Sequence, residues 1–219
     1  MGGERQLYVY GLTVPGLPAK LTVLRHPLRT LRLSGIEAIV EPMTSRPEPT
    51  IESLQTQQEI VTRLAARVPA LVPARFGSIM KEASLRSLVE TQHDAIAAAL
   101  RRVTGCAQMT IRVFGTSDLP APAVLRAASG TAFLEQRRAR AHYLPAEVDV
   151  IRTQLGRYVR EERVEPGART LRVTVFHLVA RESVDEYRQR AEDLHSMLPL
   201  HQVTVTGPAP AFAFAPELL

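Results

Sequence analysis

The sequence has one cysteine, Cys106, almost no lysine and no long apolar run, and each shortage removes a class of protein. A single cysteine excludes an internal disulfide and any multi-cysteine zinc or iron–sulfur site. A reducing, cytoplasmic setting fits that usage. No window approaches the roughly 18 apolar residues that span a bilayer, so the sequence predicts no membrane span. The opening run Leu7 to Tyr10 follows Glu4 and Arg5 and is too brief for the core of a secretion signal. Lys20 and Lys81 are the only lysines, so arginine carries almost all of the formal net charge of +5. Arginine spread along a whole chain reads as a coding bias rather than a local patch. It favours acidic partners in general and specifies none.

What is present reads as a folded α+β protein. At 219 residues, 45% hydrophobic and 22% charged, the chain is long enough for two small domains with their own cores. Short strands are expected at Leu7 to Tyr10, Leu21 to Leu24, Arg29 to Leu33 and Ile36 to Val40, separated by His26-Pro27 and Ser34-Gly35. A helix follows over Ile51 to Val68, with Ile51, Leu54, Val61, Ala65 and Val68 as its buried stripe, and Pro69 ends it. Leu71 to Arg75 is extended. A second helix runs from Ala83 to Val103 and stops at Gly105.

The spacing places a domain boundary there, giving an N-terminal α+β domain over 1–105 and a C-terminal domain over 106–219. The second series opens with a strand at Met109 to Phe114. Helices are expected over Ala127 to His142 and from Pro145 to Glu165, the latter with Leu144, Val148, Ile151, Leu155 and Tyr158 on one face. A strand at Leu171 to Ala180, a helix capped by Ser183, a strand at Gln202 to Val205 and an edge-pairing tail at Ala211 to Ala215 complete it. Strand, helices, strand, helix, strand suits a ferredoxin-like α/β sandwich.

Catalytic patterns are missing. The chain has no G-x-S-x-G elbow, P-loop or H-E-x-x-H. His195 and His201 are the nearest histidines in sequence and read as surface or core-edge imidazoles. Cys106 reads as a buried small hydrophobe. Glu161 and Glu162, among Arg157, Arg160 and Arg163, read as a solvated, ion-paired helix face. Arg137-Arg138-Ala139-Arg140 is the most nucleic-acid-like feature, but Glu135, Glu147 and Asp149 dilute it and no aromatic series accompanies it. No nucleic acid partner is expected.

Several segments, in order, resemble the gas vesicle GvpL/GvpF family. They are Leu7-Tyr8-Val9-Tyr10-Gly11, Ile36-Glu37-Ala38-Ile39-Val40, Pro73-Ala74-Arg75-Phe76-Gly77, Ser129 to Leu134 with Arg137, and the closing run Val205 to Phe214. In that last run Ala209, Ala211 and Phe212 stand where the family usually carries Trp, Pro and Tyr. Gln57 stands about where many members carry His. The resemblance implies a cytoplasmic, non-catalytic accessory protein of the gas vesicle, needing no cofactor. Its partners would be the vesicle shell protein and other vesicle proteins. A shell subunit with an apolar gas-facing surface needs a partner that covers it before assembly. Arg75 and Phe76 are candidate partner-binding residues, with the bland alternative that Phe76 packs inside, Arg75 pairs with a carboxylate and Gly77 permits a turn. Phe212 and Phe214 are the other candidates; they alternate as a strand would, so edge pairing with core packing competes with an exposed hook. A diverged regulator or small-ligand-binding module, holding its ligand in the ferredoxin-like half, is the alternative function.

Overall fold

A computed structural model of the chain describes residues 6–115 and 145–216. The helix expected over Ala127 to His142, the Ser129 to Leu134 segment and the arginine run from Arg137 to Arg140 lie outside the described residues. The chain divides into two units, Met1–Gln108 with Ala209–Leu219, and Met109–Pro208.

In the first unit β1 (Gln6–Thr13) and β4 (Ile36–Met43) form an antiparallel pair inside a six-stranded sheet. Leu7 through Thr13 and Ile36 through Glu41 are all buried, as strands covered on both faces are. β3 (His26–Leu33) pairs with β4 and β2 (Lys20–Val23) with β3. β5 (Leu71–Pro73) and β6 (Ile79–Met80) both pair with β1. The β6 pair is too short to carry a sequence period and was not expected. The β1–β4 register shifts between Val9 and Gly11, which leaves Tyr10 as the extra residue of a bulge. Gly11 is required there because a Cβ would lie 2.7 Å from the Val72 carbonyl oxygen.

Helix α1 (Ile51–Ala65) starts at a reciprocal cap in which Thr50 and Ser53 satisfy each other's backbone N–H groups. Its buried face is Gln57, Ile60, Val61 and Leu64; of the expected stripe Val61 is buried, as is Val68 just past the helix, while Ile51 and Leu54 are 77% and 44% exposed. A polar residue, Gln57, holds the place in the stripe that an apolar count would skip. The expected helix from Ala83 to Val103 is two, α2 (Glu82–Thr91) and α3 (His93–Val103), broken at Gln92, whose φ of −107° leaves the helical range. Gly105, at φ +68°, follows α3. Helix α1 packs on β1, β2 and β5, and α2 and α3 pack on β3 and β5 respectively.

The second unit takes β7 (Cys106–Phe114) from Met109 onward, then α4 (Glu147–Leu155), β8 (Val159–Pro166), β9 (Leu171–Ala180), α5 (Val184–Glu192), α6 (Leu194–Met197) and β10 (Gln202–Ala209) as far as Pro208. Its sheet order is β10-β7-β9-β8. The helix expected to continue to Glu165 stops at Leu155, and after one 3-10 turn the chain becomes β8, antiparallel to β9. Pairing with β9 overrides the helical spacing, helped by the β-branched Val159 and Val164. Glu161, Glu162, Arg160 and Arg163 therefore sit on a strand and not on a helix face.

The tail is also corrected. Phe212–Phe214 is a 3-10 turn rather than an edge strand, because the Phe212 and Phe214 N–H groups bond locally to Pro210 and Ala211 carbonyls. The Ala213 N–H donates to Gln108 Oε1 at 2.8 Å and seats the turn in the first unit.

Candidate functional site

Tyr8 and Tyr10 carry hydroxyl groups into the interior of the first unit, and a buried hydroxyl must find a partner. The Tyr10 hydroxyl donates to Glu41 Oε2 at 2.7 Å, from β1 to β4. The Tyr8 hydroxyl donates to Gln57 Oε1 and accepts from the Gly77 N–H at 3.2 Å. Gln57 Nε2 donates to the Ala74 carbonyl at 3.2 Å. Arg46 donates to the Gly77 carbonyl at 3.1 Å. The Ala74 to Gly77 turn is thus held by β1, α1 and the loop after β4. Gly77 adopts φ +80°, a conformation that glycine takes without strain.

Burial first, then the neighbouring Glu41 carboxylate, pushes the Tyr10 hydroxyl far above the usual phenol range. Burial also raises Tyr8; the Gly77 N–H opposes this and Glu41 adds to it. Both groups therefore act as protonated donors, not as nucleophiles or bases. His26 turns Nδ1 toward Glu41, 3.3 and 3.1 Å from its two oxygens. A carboxylate only accepts, so Nδ1 carries the proton and Nε2 lies on the ring edge away from Glu41.

These side chains border a groove of about 290 Å³. Tyr8, Tyr10, Met43, Pro47 and Phe76 supply its apolar walls, and His26, Glu52, Thr50, Ser53, Thr56 and Gln57 its polar ones. Tyr8 meets Tyr10 at a ring separation of 5.0 Å and Phe76 edge-on at 6.3 Å.

Among the residues singled out from sequence, Phe76 is half-buried in this groove and Arg75 beside it is exposed. Phe212 packs, half-buried, against the core cluster that contains Tyr8 and Tyr10, and Phe214 is 4% exposed. All four belong to the first unit. Tyr8, Tyr10, His26 and Glu41 were missed as site residues. The signal was present in β4, where Glu37 and Glu41 interrupt an otherwise apolar run; Glu37 is fully buried and held by Arg32 and by the Gly16 and Leu17 N–H groups.

The second unit holds polar clusters of another kind. Arg152 donates to Glu162 Oε1 from Nε at 2.9 Å and Nη2 at 2.8 Å. Glu162 Oε2 takes His177 Nε2–H at 3.2 Å, so Nδ1 accepts the Tyr187 O–H at 2.8 Å. Burial lowers His177 below the ordinary imidazole range, against the pull of Glu162. Burial would raise Glu162, but the bonds from Arg152 and His177 outweigh it and hold it below the carboxylate range. Arg172 and His201 both reach Glu147 Oε1, at 2.6 and 2.9 Å. His201 is thereby engaged while His195 is exposed. Among the described residues no group of three or more His, Cys, Asp or Glu could hold a metal ion.

The family model for the gas vesicle synthesis protein GvpL/GvpF matches residues 6–216. The crystal structure of gas vesicle protein GvpF from Microcystis aeruginosa aligns with a TM-score of 0.75 at 16% identity, covering 96% of this chain and 99% of that one. The GvpF structure from Anabaena sp. PCC7120 aligns with a TM-score of 0.73 at 15% identity, covering 97% of this chain and 96% of that one. No curated protein sequence matches significantly. At such identities the structural likeness speaks for the fold.

Proposed function

Because the chain belongs to the gas vesicle GvpL/GvpF family, we propose that it is a non-catalytic accessory protein of vesicle assembly, acting through contacts with the shell protein and other vesicle proteins. The observation that carries this reading is the family match across residues 6–216, joined to a groove with aromatic walls whose tyrosine hydroxyls stay protonated and engaged with Gln57 and Glu41. Such a site can hold a partner and offers no activated nucleophile.

Arg75 and Phe76 are the contact residues in this reading, positioned by Tyr8, Gln57 and Arg46. Phe212 supports the same region from the tail, and the buried Phe214 anchors that tail rather than touching a partner. We read the second unit as ferredoxin-like, since its strands in chain order, numbered one to four, lie 4-1-3-2 across the sheet with a helix after the first and third. No helix among the described residues is long and apolar enough to cross a membrane. The place of action in this reading is the cytoplasm, on or beside the growing vesicle.

The test is deletion with complementation, paired with binding of the purified chain to purified shell protein. Lost or malformed vesicles, restored by the wild-type gene, and direct binding weakened by Arg75→Ala with Phe76→Ala are expected. Normal vesicles in the deletion strain, together with no binding to any vesicle protein, would refute the reading.

A further inference from the structure

The groove of the first unit is unusual in how its hydrogen-bonding capacity is distributed. The Tyr10 proton is engaged by Glu41, the Tyr8 proton by Gln57, and a Gln57 amide proton by Ala74. The Thr50 and Ser53 hydroxyls are engaged with each other and with backbone carbonyls in the α1 cap. Apart from the Thr56 hydroxyl, which can donate or accept, what remains toward the groove is acceptor. His26 lines it with Nδ1 directed at Glu41, so in the neutral imidazole Nε2 is the acceptor that faces away from that carboxylate. Glu52 is exposed on its rim, with no cation paired to it among the described residues. Arg46 and Arg75 belong to the adjoining segments but do not line it.

Acceptors, two nearby carboxylates and three aromatic rings select a donor-rich cation with a flat face. At about 290 Å³ the groove falls just below the range of about 300–1,000 Å³ usual for small-molecule sites, a size that suits one side chain. Its lining follows α1 from Thr50 to Gln57, about 10 Å at 1.5 Å per residue, so the ligand enters along an extended path.

We propose that this groove receives an arginine side chain carried on an extended segment of a partner protein. The guanidinium packs on the half-buried Phe76 ring, with only the edges of Tyr8 and Tyr10, 2% and 3% exposed, reaching the floor, and donates to Glu52 and to Nε2 of the neutral His26 imidazole, with Glu41 behind that ring. This rests on the reading that the chain works by protein contact, and it specifies the chemistry of the contact.

The probe is acetyl-Gly-Arg-Gly-amide, titrated into the full chain against the same peptide with citrulline, which keeps the shape and removes the charge. Binding is read from NMR shifts of Tyr8, Gln57, Phe76 and Gly77. Tyrosine emission serves as a second readout, since the chain has no tryptophan. The arginine peptide is expected to shift those residues and to bind about tenfold more tightly than citrulline. Glu52→Gln, an exposed change that leaves the core intact, weakens the arginine peptide several-fold, and added salt does the same. Equal binding of the two peptides, shifts confined to other surfaces, or an unchanged affinity in Glu52→Gln would overturn the proposal. So would self-association of the chain that Glu52→Gln abolishes, because the occupant would then be a second copy. A failed peptide titration leaves the vesicle reading standing. Normal vesicles in the deletion strain beside intact peptide binding would remove the vesicle reading instead.

Discussion

The two units each contain a histidine–carboxylate–tyrosine cluster, one sealed in the interior and one open at its histidine. In the second unit Arg152, Glu162, His177 and Tyr187 join α4, β8, β9 and α5, and His177 and Tyr187 are 1% and 0% exposed. Each of these groups bonds another member of the cluster. In the first unit Tyr10, Glu41 and His26 form a similar chain, but it ends at a groove, and His26 stays part-exposed with one nitrogen unengaged. The same residue types make a clamp where both ends are capped and the wall of an open groove where one end is free.

Variants can break or sharpen this contrast. The largest effect is expected from Tyr187→Ala, which removes a fully buried ring packed against Tyr158 and His177 and leaves His177 Nδ1 without its donor. Chemical denaturation should show a loss of about 3–5 kcal/mol. Tyr8→Phe in the first unit keeps the ring and removes one hydroxyl, so a loss of about 1–2 kcal/mol is expected. Hydrogen exchange at Gly77 should speed up with it, because that N–H loses its acceptor.

Acid gives a graded comparison. The folded-state pKa of His177 is depressed, so the unfolded chain binds its proton first as pH falls below about 6.5. The contribution of this cluster is complete above that pH and is lost progressively below it. The depressed Glu162 extends the loss into the carboxylate range, since its contribution fades as pH falls through its folded pKa. Melting curves from pH 8 to 4 should show the decline, and His177→Gln should flatten its upper part; a flat wild-type profile would contradict the clamp. The smallest effect belongs to Ile51→Gln on the exposed face of α1, within about 0.5 kcal/mol by the same denaturation.

The strands of the first unit were legible because short apolar runs stood between turn residues such as Ser34-Gly35. Helix α1 was legible in extent and not in face, since Gln57 is buried for the sake of Tyr8 and Ala74, a reason no period contains. Arg75 and Phe76 were visible as a loop segment. Their neighbours Tyr8, Tyr10 and His26 at the groove, and Glu41 behind it, were not, because they come from three separate strands.

The amino-acid sequence alone determined the α+β class, the family and most element positions, because periodicity, turn chemistry and ordered motifs are local properties of the chain. The tertiary structure alone decided that β8 is a strand, that the Phe212 to Phe214 tail turns back in the first unit, and which carboxylate does which task. Glu37 and Glu41 lie four residues apart on one strand and look alike in the sequence. One is sealed by backbone N–H groups and Arg32, and the other stands behind an open groove. Hydrogen-bond partners contributed by distant segments made that difference, and such partners are set by packing, which no local pattern records.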